Sequence, residues 1–447
     1  MSRPRVNPRP ALAPLGVGAA ALLSLASSVG APGGAPAMSA DAAAAGAIEC
    51  DPENGGITLA EGLCALVFAD DLGRARHLAV RDNGDVYVML REPVDGKGVV
   101  ALRDTTGDGR ADVVERFGDF AGTGIGIRGG HLYVAPNDRV LRYALGDEGE
   151  LVPGGEPEVV AHGFPEQRGH AAKPFALDGD GHIYVNVGAP SNSCETELRT
   201  AGSPGQDPCP ELERQAGIWR FAADELDQTQ GEHGERYANG IRNAVALDWN
   251  AAVGELYAVQ HGRDQLDAFW PDFYDEEQNA ELPSEEFLRV EAGTTFAWPY
   301  CYHDPHRGHR VLAPEYGGDG EEVGRCDRFP EPITTFPAPW APNDLLFYTG
   351  DLLGERYRGG AFVAFHGSWN RAPLEQRGYK VAFVPFDGAR PSGDWEVFAD
   401  GFAGEGPIRA SDEAEHRPMG LAAGPDGSLY ISDSQRGRIW RVVRASP

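Results

Sequence analysis

The stretch DGDGHIYVNVG (residues 178–188) is a glycine-bearing turn running straight into a short strand of β-branched and aromatic residues. The same unit recurs as DNGDVYVML (82–90), GGHLYVAPND (129–138), VGELYAVQHG (253–262), RGGAFVAFHG (358–367) and PDGSLYISDS (425–434). An aromatic holds the same place in every copy: Tyr87, Tyr133, Tyr184, Tyr257, Phe362 and Tyr430. A short apolar stretch precedes the turn, as in HLAV (77–80), FAL (175–177), VAL (245–247) and GLAA (420–423). A third strand follows, usually with an arginine: VVALRD (99–104), VLRYAL (140–145), GIWRF (217–221), FLRV (287–290), KVAFVPF (380–386) and RIWRVV (438–443). Many copies add a fourth, such as VVERF (113–117) and WEVFAD (395–400). Six copies of a four-strand unit predict an all-β fold, a six-bladed β-propeller of four-stranded antiparallel blades. Spacings of 46, 51, 73, 105 and 68 residues between the aromatics put long insertions in the later blades, chiefly 189–216, 222–240, 264–285 and 297–340. One propeller over 41–447 is expected, with no interdomain linker.

The N-terminus reads as an address. Residues 1–10 carry Arg3, Arg5 and Arg9 and no acid, and 11–29 are small and apolar. APGGAPAMSA (31–40) then offers small-residue cleavage sites. A cleaved signal peptide over 1–40 and an exported protein, periplasmic or secreted, are expected. No other segment has transmembrane length, so no stable membrane insertion is expected. Six cysteines fall into three local pairs by spacing, Cys50–Cys64, Cys194–Cys209 and Cys301–Cys326. No CxxC or CxxCH is present to suggest zinc or covalent haem, so disulfides in an oxidising compartment are the economical reading.

The 447 residues hold 68 acidic and 39 basic side chains, a formal net charge of -29, and only three of the basic residues are lysines. That balance argues against nucleic acid and against an anionic membrane surface, both of which need a basic face. A small anion held by a few arginines is not excluded.

Propeller geometry sorts the loops onto two faces. Segments leading into the first strand of each blade, and loops joining strands two and three, share one face around the channel. These segments carry Arg76-His77, Gly169-His170 with Lys173, Arg242-Asn243, Asn343-Asp344 and His416-Arg417. The two–three loops add Asn137-Asp138, Ser191-Asn192, His261-Gly262-Arg263-Asp264 and His366-Gly367-Ser368-Trp369-Asn370-Arg371. Such a cationic collar in an acidic protein suits a small, multiply anionic ligand, because arginine grips carboxylates bidentately. The structural alternative, valid for any single arginine, is an ion pair between blades.

At these residues the chain resembles the soluble quinoprotein sugar dehydrogenases, in particular their L-sorbosone dehydrogenase-like branch. The likeness lies in RGHAAKPFALDGDGHIYVNVGAPSNSC (168–194), YANGIRNAVALDWNAAVGELYAVQHGRDQLD (237–267), FAWPYCYHDP (296–305), FVAFHGSWNRAP (362–373), GYKVAFVPFDG (378–388) and RPMGLAAGPDGSLYISD (417–433). The resemblance implies a propeller that uses pyrroloquinoline quinone (PQQ), a tricarboxylate ortho-quinone, with calcium. It implies His170 as the general base on the substrate hydroxyl, and Arg242 and Asn243 beside the cofactor. It places the backbone carbonyls of Gly262 and Arg263 on calcium and Arg417 on a cofactor carboxylate, with Arg371 a second such arginine. Lys173 and Arg76 point the same way from their positions alone. It implies a small-molecule substrate, a sugar, sugar aldehyde or polyol. Electrons then pass to an external acceptor, a cytochrome or quinone, since the chain has no haem motif. Three departures speak against glucose or alter the site. Gly169 stands where glucose-oxidising relatives carry aspartate, Arg263 stands where the second calcium carbonyl usually comes from proline, and GTGIGIRGG (122–130) lacks their glutamine.

DTTGDGRADVVE (104–115) nearly matches the twelve-residue calcium-loop pattern, with Asp104, Thr106, Asp108, Asp112 and Glu115 at positions 1, 3, 5, 9 and 12. The alternative is an acidic hairpin turn without an ion. Two other functions compete with the dehydrogenase: a metal-dependent lactonase-type hydrolase, and a carbohydrate- or protein-binding propeller without catalysis. The channel-facing segments offer mostly Arg, His and Lys, with Asn343, Asp344 and Asn243 as the few side-chain metal ligands.

Overall fold

Several of the glycine turns in the repeat are closed by their own acid or amide. Asp178 Oδ1 accepts from the amides of Asp180 and His182, Asp426 Oδ1 from that of Ser428, and Asn83 Oδ1 from that of Asp85. The turns fold strand one back on strand two throughout the structure, a computed structural model that describes residues 48–445. The predicted signal peptide lies outside the described residues.

Six antiparallel sheets form a six-bladed β-propeller. Blade one comprises Ala75–Val80, Val86–Val94, Lys97–Arg103 and Val113–Phe117. Blade two comprises Gly122–Arg128, His131–Pro136, Val140–Ala144 and Glu158–His162. Blade three comprises Phe175–Leu177, His182–Val187, Gly217–Ala222 and Glu235–Asn239. Blade four comprises Ala246–Asn250, Glu255–Gln260, Glu285–Val290 and Thr334–Phe336. Blade five comprises Pro342–Phe347, Ala361–Phe365, Lys380–Val384 and Glu396–Asp400. Blade six takes Pro418–Ala423, Leu429–Asp433 and Ile439–Arg444 from the C-terminus, and its outer strand, Leu63–Ala69, from the N-terminus. The ring is thus closed by pairing the two ends of the propeller, which the repeat pattern alone did not reveal. Three blades carry a short fifth edge strand: Gln228–Thr229 and Thr294–Thr295 pair in parallel, Thr58–Leu59 antiparallel. Each first strand touches the first strand of the next blade, and that of blade six touches that of blade one. The six first strands therefore encircle the channel.

Six hydrophobic clusters form the propeller core, one between each neighbouring pair of blades, and three smaller ones lie among the insertions. The recurring aromatic is the residue that makes these joints. Tyr87, Tyr133 and Tyr257 are fully buried and reach across to the next blade, where their hydroxyls donate to the carbonyls of Leu151, Ala223 and Ala389. Tyr184 stacks on Trp249 of blade four. Phe362 and Tyr430 fill the clusters between blades five and six, and six and one. Arginines recurring on third strands pair with acids of the same blade, as Arg103 with Asp85 and Arg441 with Asp426. For those arginines the structural alternative holds. All three expected disulfides are formed, Cys50–Cys64, Cys194–Cys209 and Cys301–Cys326. Among the described residues no helix is long and apolar enough to cross a membrane.

Candidate active site

The segments leading into the first strands converge, as expected, on a cavity of about 490 Å³ at one end of the channel. Its wall includes Arg76 and Arg91 of blade one, Thr123 of blade two, and Arg168 and His170 before blade three. Arg242, Asn243, Gly262, Asp264 and Glu285 come from blade four and its approach, and His366, Trp369 and Arg417 from the far side.

His170 sits in the left-handed region, with φ +48. Two close approaches hold it there. Gln167 Nε2 donates to the carbonyls of Gly169, His170 and Gly188 at 2.8, 3.0 and 2.9 Å, pinning the loop. A Cβ on Gly188 would come within 2.6 Å of both the His170 Cβ and Asn243 Oδ1, so only glycine makes room for the histidine. The imidazole Nδ1 lies 2.6 Å from the Ala189 carbonyl oxygen. A carbonyl only accepts, so Nδ1 carries the proton and Nε2 keeps its lone pair. Burial, then the positive charge of Arg242, push the ring's pKa down to about 3.

Arg242 is 2% exposed. Its guanidinium donates to Asn192 O and Oδ1, to Asp264 Oδ2 at 2.8 Å and to the Gly262 carbonyl at 2.7 Å. Asn243 accepts from Asn186 Nδ2 through its own Oδ1 and lines the cavity. Arg417 donates to the carbonyls of His366 and Gly367, both at 2.7 Å, and Arg76 Nε to Thr123 Oγ1 at 3.1 Å. Desolvation lowers Arg76 to about 9, with repulsion from Arg91 and Arg417 adding to it. His366 Nδ1 is buried without a partner among the described residues. A crowd of cations around an orphaned imidazole nitrogen is the donor set that a polycarboxylate would satisfy.

The amino-acid sequence decides whose donor set this is. Residues 57–445 match the model of the TrAA12-like family. The chain belongs to the TrAA12-like family of PQQ-dependent oxidoreductases. Among curated proteins it is 27% identical over 210 residues to an uncharacterized protein of Borreliella burgdorferi, covering 46% of this chain and 48% of that one. It is 24% identical over 280 residues to the PQQ-dependent pyranose dehydrogenase of Coprinopsis cinerea, covering 55% of this chain and 37% of that one. The chain thus spans about half or less of the length of these relatives. Its fold is that of the holo PQQ domain of the Coprinopsis cinerea pyranose dehydrogenase (TM-score 0.69, 19% identity, 87% of this chain and 97% of that chain covered). It is equally that of the calcium structure of the Trichoderma reesei family AA12 enzyme (TM-score 0.70, 18% identity, 87% and 97% covered).

Within this TrAA12-like site, two expected arms of the collar point elsewhere. Lys173 is fully buried; its Nζ donates to Ala171 O at 2.6 Å and lies over the Phe164 ring, behind the cavity wall. Arg371 is a strut: it donates to the carbonyls of Glu375, Ala280 and Ala338 and pairs with Glu281. The Arg263 side chain also turns away, onto Glu315, while Gly262 stays on the cavity wall. The Gly262 carbonyl is engaged by Arg242 but, with two lone pairs, keeps one acceptor position. The carboxylate loop at 104–115 turns inward on its own amides. Asp104 accepts from the amides of Thr106, Gly107 and Gly109, Asp108 from that of Arg110, and Asp112 from Thr105. Glu115 lies exposed on the following strand, away from that cluster. These four acids are not brought into an ion cage, and among the described residues no group of three or more His, Cys, Asp or Glu is.

Several cavity residues escaped the sequence reading, among them Arg91, Arg168, Thr123 and Glu285. Glu285 is 2% exposed, and its two oxygens accept from the amides of Gly262 (2.8 Å) and Ala341 (2.9 Å). Burial raises its pKa to about 7. No local motif marks it; it follows an insertion and begins a third strand. Arg168 could have been found, two residues before the histidine in a quoted segment.

Proposed function

We propose that the protein is a PQQ-dependent dehydrogenase that oxidises a sugar, sugar aldehyde or polyol, with His170 as general base. The observation that carries this reading is the His170–Ala189 bond, which leaves an unprotonated Nε2 on a cavity lined by five arginines. With its pKa pushed down to about 3 in the cofactor-free cavity, the ring is neutral at physiological pH and its Nε2 is free to accept a substrate O–H. The carboxylates of bound PQQ, by offsetting the Arg242 charge, would raise that basicity toward the range a general base needs.

PQQ, when bound, supplies the two-electron acceptor for the hydride lost from carbon. Arg242, Asn243, Arg417 and Arg76 are the residues that would hold its carboxylates, and their bonds to the protein fix them before any ligand arrives. Gln167 and Gly188 set the position of the base against that surface. Calcium belongs to the same reading, with the carbonyls of Gly262 and Arg263 as its protein ligands and Asp264 as nearby negative charge. Electrons leave for an external acceptor, a cytochrome or quinone. Three disulfides fit the oxidising surroundings of an exported protein.

The test is to add PQQ and calcium to the purified protein, follow cofactor uptake by absorbance, and assay dye reduction with aldoses and polyols. Uptake with turnover that His170→Ala abolishes, cofactor binding being kept, is the expected result. No spectral change on adding PQQ rejects the reading, and turnover retained in His170→Ala rejects the base.

A further inference from the structure

The five cavity arginines are held in two ways. Arg242, Arg417 and Arg76 are anchored by hydrogen bonds to Asn192, Asp264, Gly262, His366, Gly367 and Thr123. Arg91 and Arg168 are exposed at the mouth, and among the described residues neither guanidinium has a protein acceptor. Elsewhere on the surface some exposed arginines find a carboxylate, as Arg139 with Asp138, Arg307 with Glu321, Arg377 with Glu281 and Arg74 with Glu92, and others, such as Arg390 and Arg436, do not. Arg91 and Arg168 are spared that pairing where the cavity opens.

The division suits two kinds of ligand. Anchored arginines have lost their side-chain freedom in advance and fit a resident cofactor. Three of them match the three carboxylates of PQQ. The two unanchored arginines then remain as surplus positive charge beside the base, since Arg168 is two residues from His170. A guanidinium recognises carboxylate geometry bidentately. We propose that Arg91 and Arg168 select a substrate with its own negative charge, a monosaccharide bearing a carboxylate such as a uronate. This rests on the dehydrogenase reading above. The substrate carboxylate is gripped at the mouth while its reacting hydroxyl faces His170. There Nε2 would take the O–H proton, and PQQ, when bound, would supply the acceptor for the hydrogen that leaves carbon with its electron pair as the C=O bond forms. Reoxidation falls to the external acceptor.

The experiment compares D-galacturonate with D-galactose by calorimetric binding to the PQQ-loaded protein, with PQQ occupancy followed separately by absorbance. Galacturonate is expected to bind about tenfold more tightly, as a charge-assisted bidentate contact implies. That preference should shrink in about 0.3 M NaCl, where surface charge is screened. It should fall to a ratio near one in an Arg91→Gln/Arg168→Gln variant that still takes up PQQ. Equal affinities in the wild type, or a preference that survives in the variant, overturns the proposal. So does loss of PQQ uptake in the variant, which assigns these arginines to the cofactor. If the wild type takes up no PQQ, the dehydrogenase reading fails by itself; the galacturonate–galactose comparison on the protein alone then still decides whether the mouth selects carboxylates.

Discussion

His170 Nδ1 and the carbonyl oxygen of Ala189 are 2.6 Å apart, and this one bond fixes which ring nitrogen is free in the cavity. The ring is also desolvated and faces the Arg242 charge, so protonation is disfavoured twice. The expected outcome is a His170 that stays neutral in the cofactor-free protein down to a pH of about 3. Long-range ¹H–¹⁵N spectra across a pH series measure this directly. A midpoint near the ordinary 6.5 of a solvated histidine would show that the cavity does not hold the ring as described.

Gly169 faces the backbone of Pro190 so closely that a Cβ would lie 2.6 Å from its carbonyl oxygen. The aspartate of the glucose-oxidising relatives therefore does not fit this backbone. Gly169→Ala should destabilise the protein by about 1–3 kcal/mol through overpacking, read as a lower midpoint in urea. An Ala variant as stable as the wild type would mean that the loop moves freely, and that His170 is not locked.

The propeller was legible because its unit repeats. Six turn-and-strand copies, each with an aromatic, stand out in the sequence since every blade buries the same ring against its neighbour. The closing strand Leu63–Ala69 was not legible, because it pairs with residues nearly four hundred positions away and contains no copy of the turn. His170, Arg242 and Arg417 reached the cavity because position in the repeat dictates face. Lys173, only three residues past His170, did not. There the chain is already descending into the first strand of blade three, and the side chain turns under the cavity floor onto Phe164. Repeat position tells which face a residue is on, but not whether its side chain turns inward or outward.

The closing strand also carries Cys64, bonded to Cys50. A crosslink over 14 positions restrains the unfolded chain by about 3 kcal/mol in the loop-entropy picture. Because the strand completes blade six, that loss should appear as global destabilisation. Cys50→Ser/Cys64→Ser should unfold at lower denaturant by an amount in this range, with circular dichroism and tryptophan fluorescence falling together. Separate transitions for the two probes would show that blade six opens by itself and that the closure is not shared by the ring.

Glu285 ties Gly262 to Ala341 through one oxygen each, so the two segments share a single carboxyl group. Burial raises its pKa to about 7, above the ordinary 4.5 of a solvated glutamate. The folded protein therefore binds a proton here over a pH range in which the unfolded chain has released it. This contribution is present in full below about pH 4.5 and is lost as the pH rises through about 7. Glu285→Gln cannot titrate, and its amide nitrogen cannot accept the second N–H, so it should be less stable than the wild type. The deficit should be larger at pH 5 than at pH 8 by roughly 2–3 kcal/mol, the size of a shift of this extent. Urea midpoints of both proteins at the two pH values measure it. A deficit that is constant across that range would mean that Glu285 is ionised in the fold, held by its two amide donors rather than neutralised by burial.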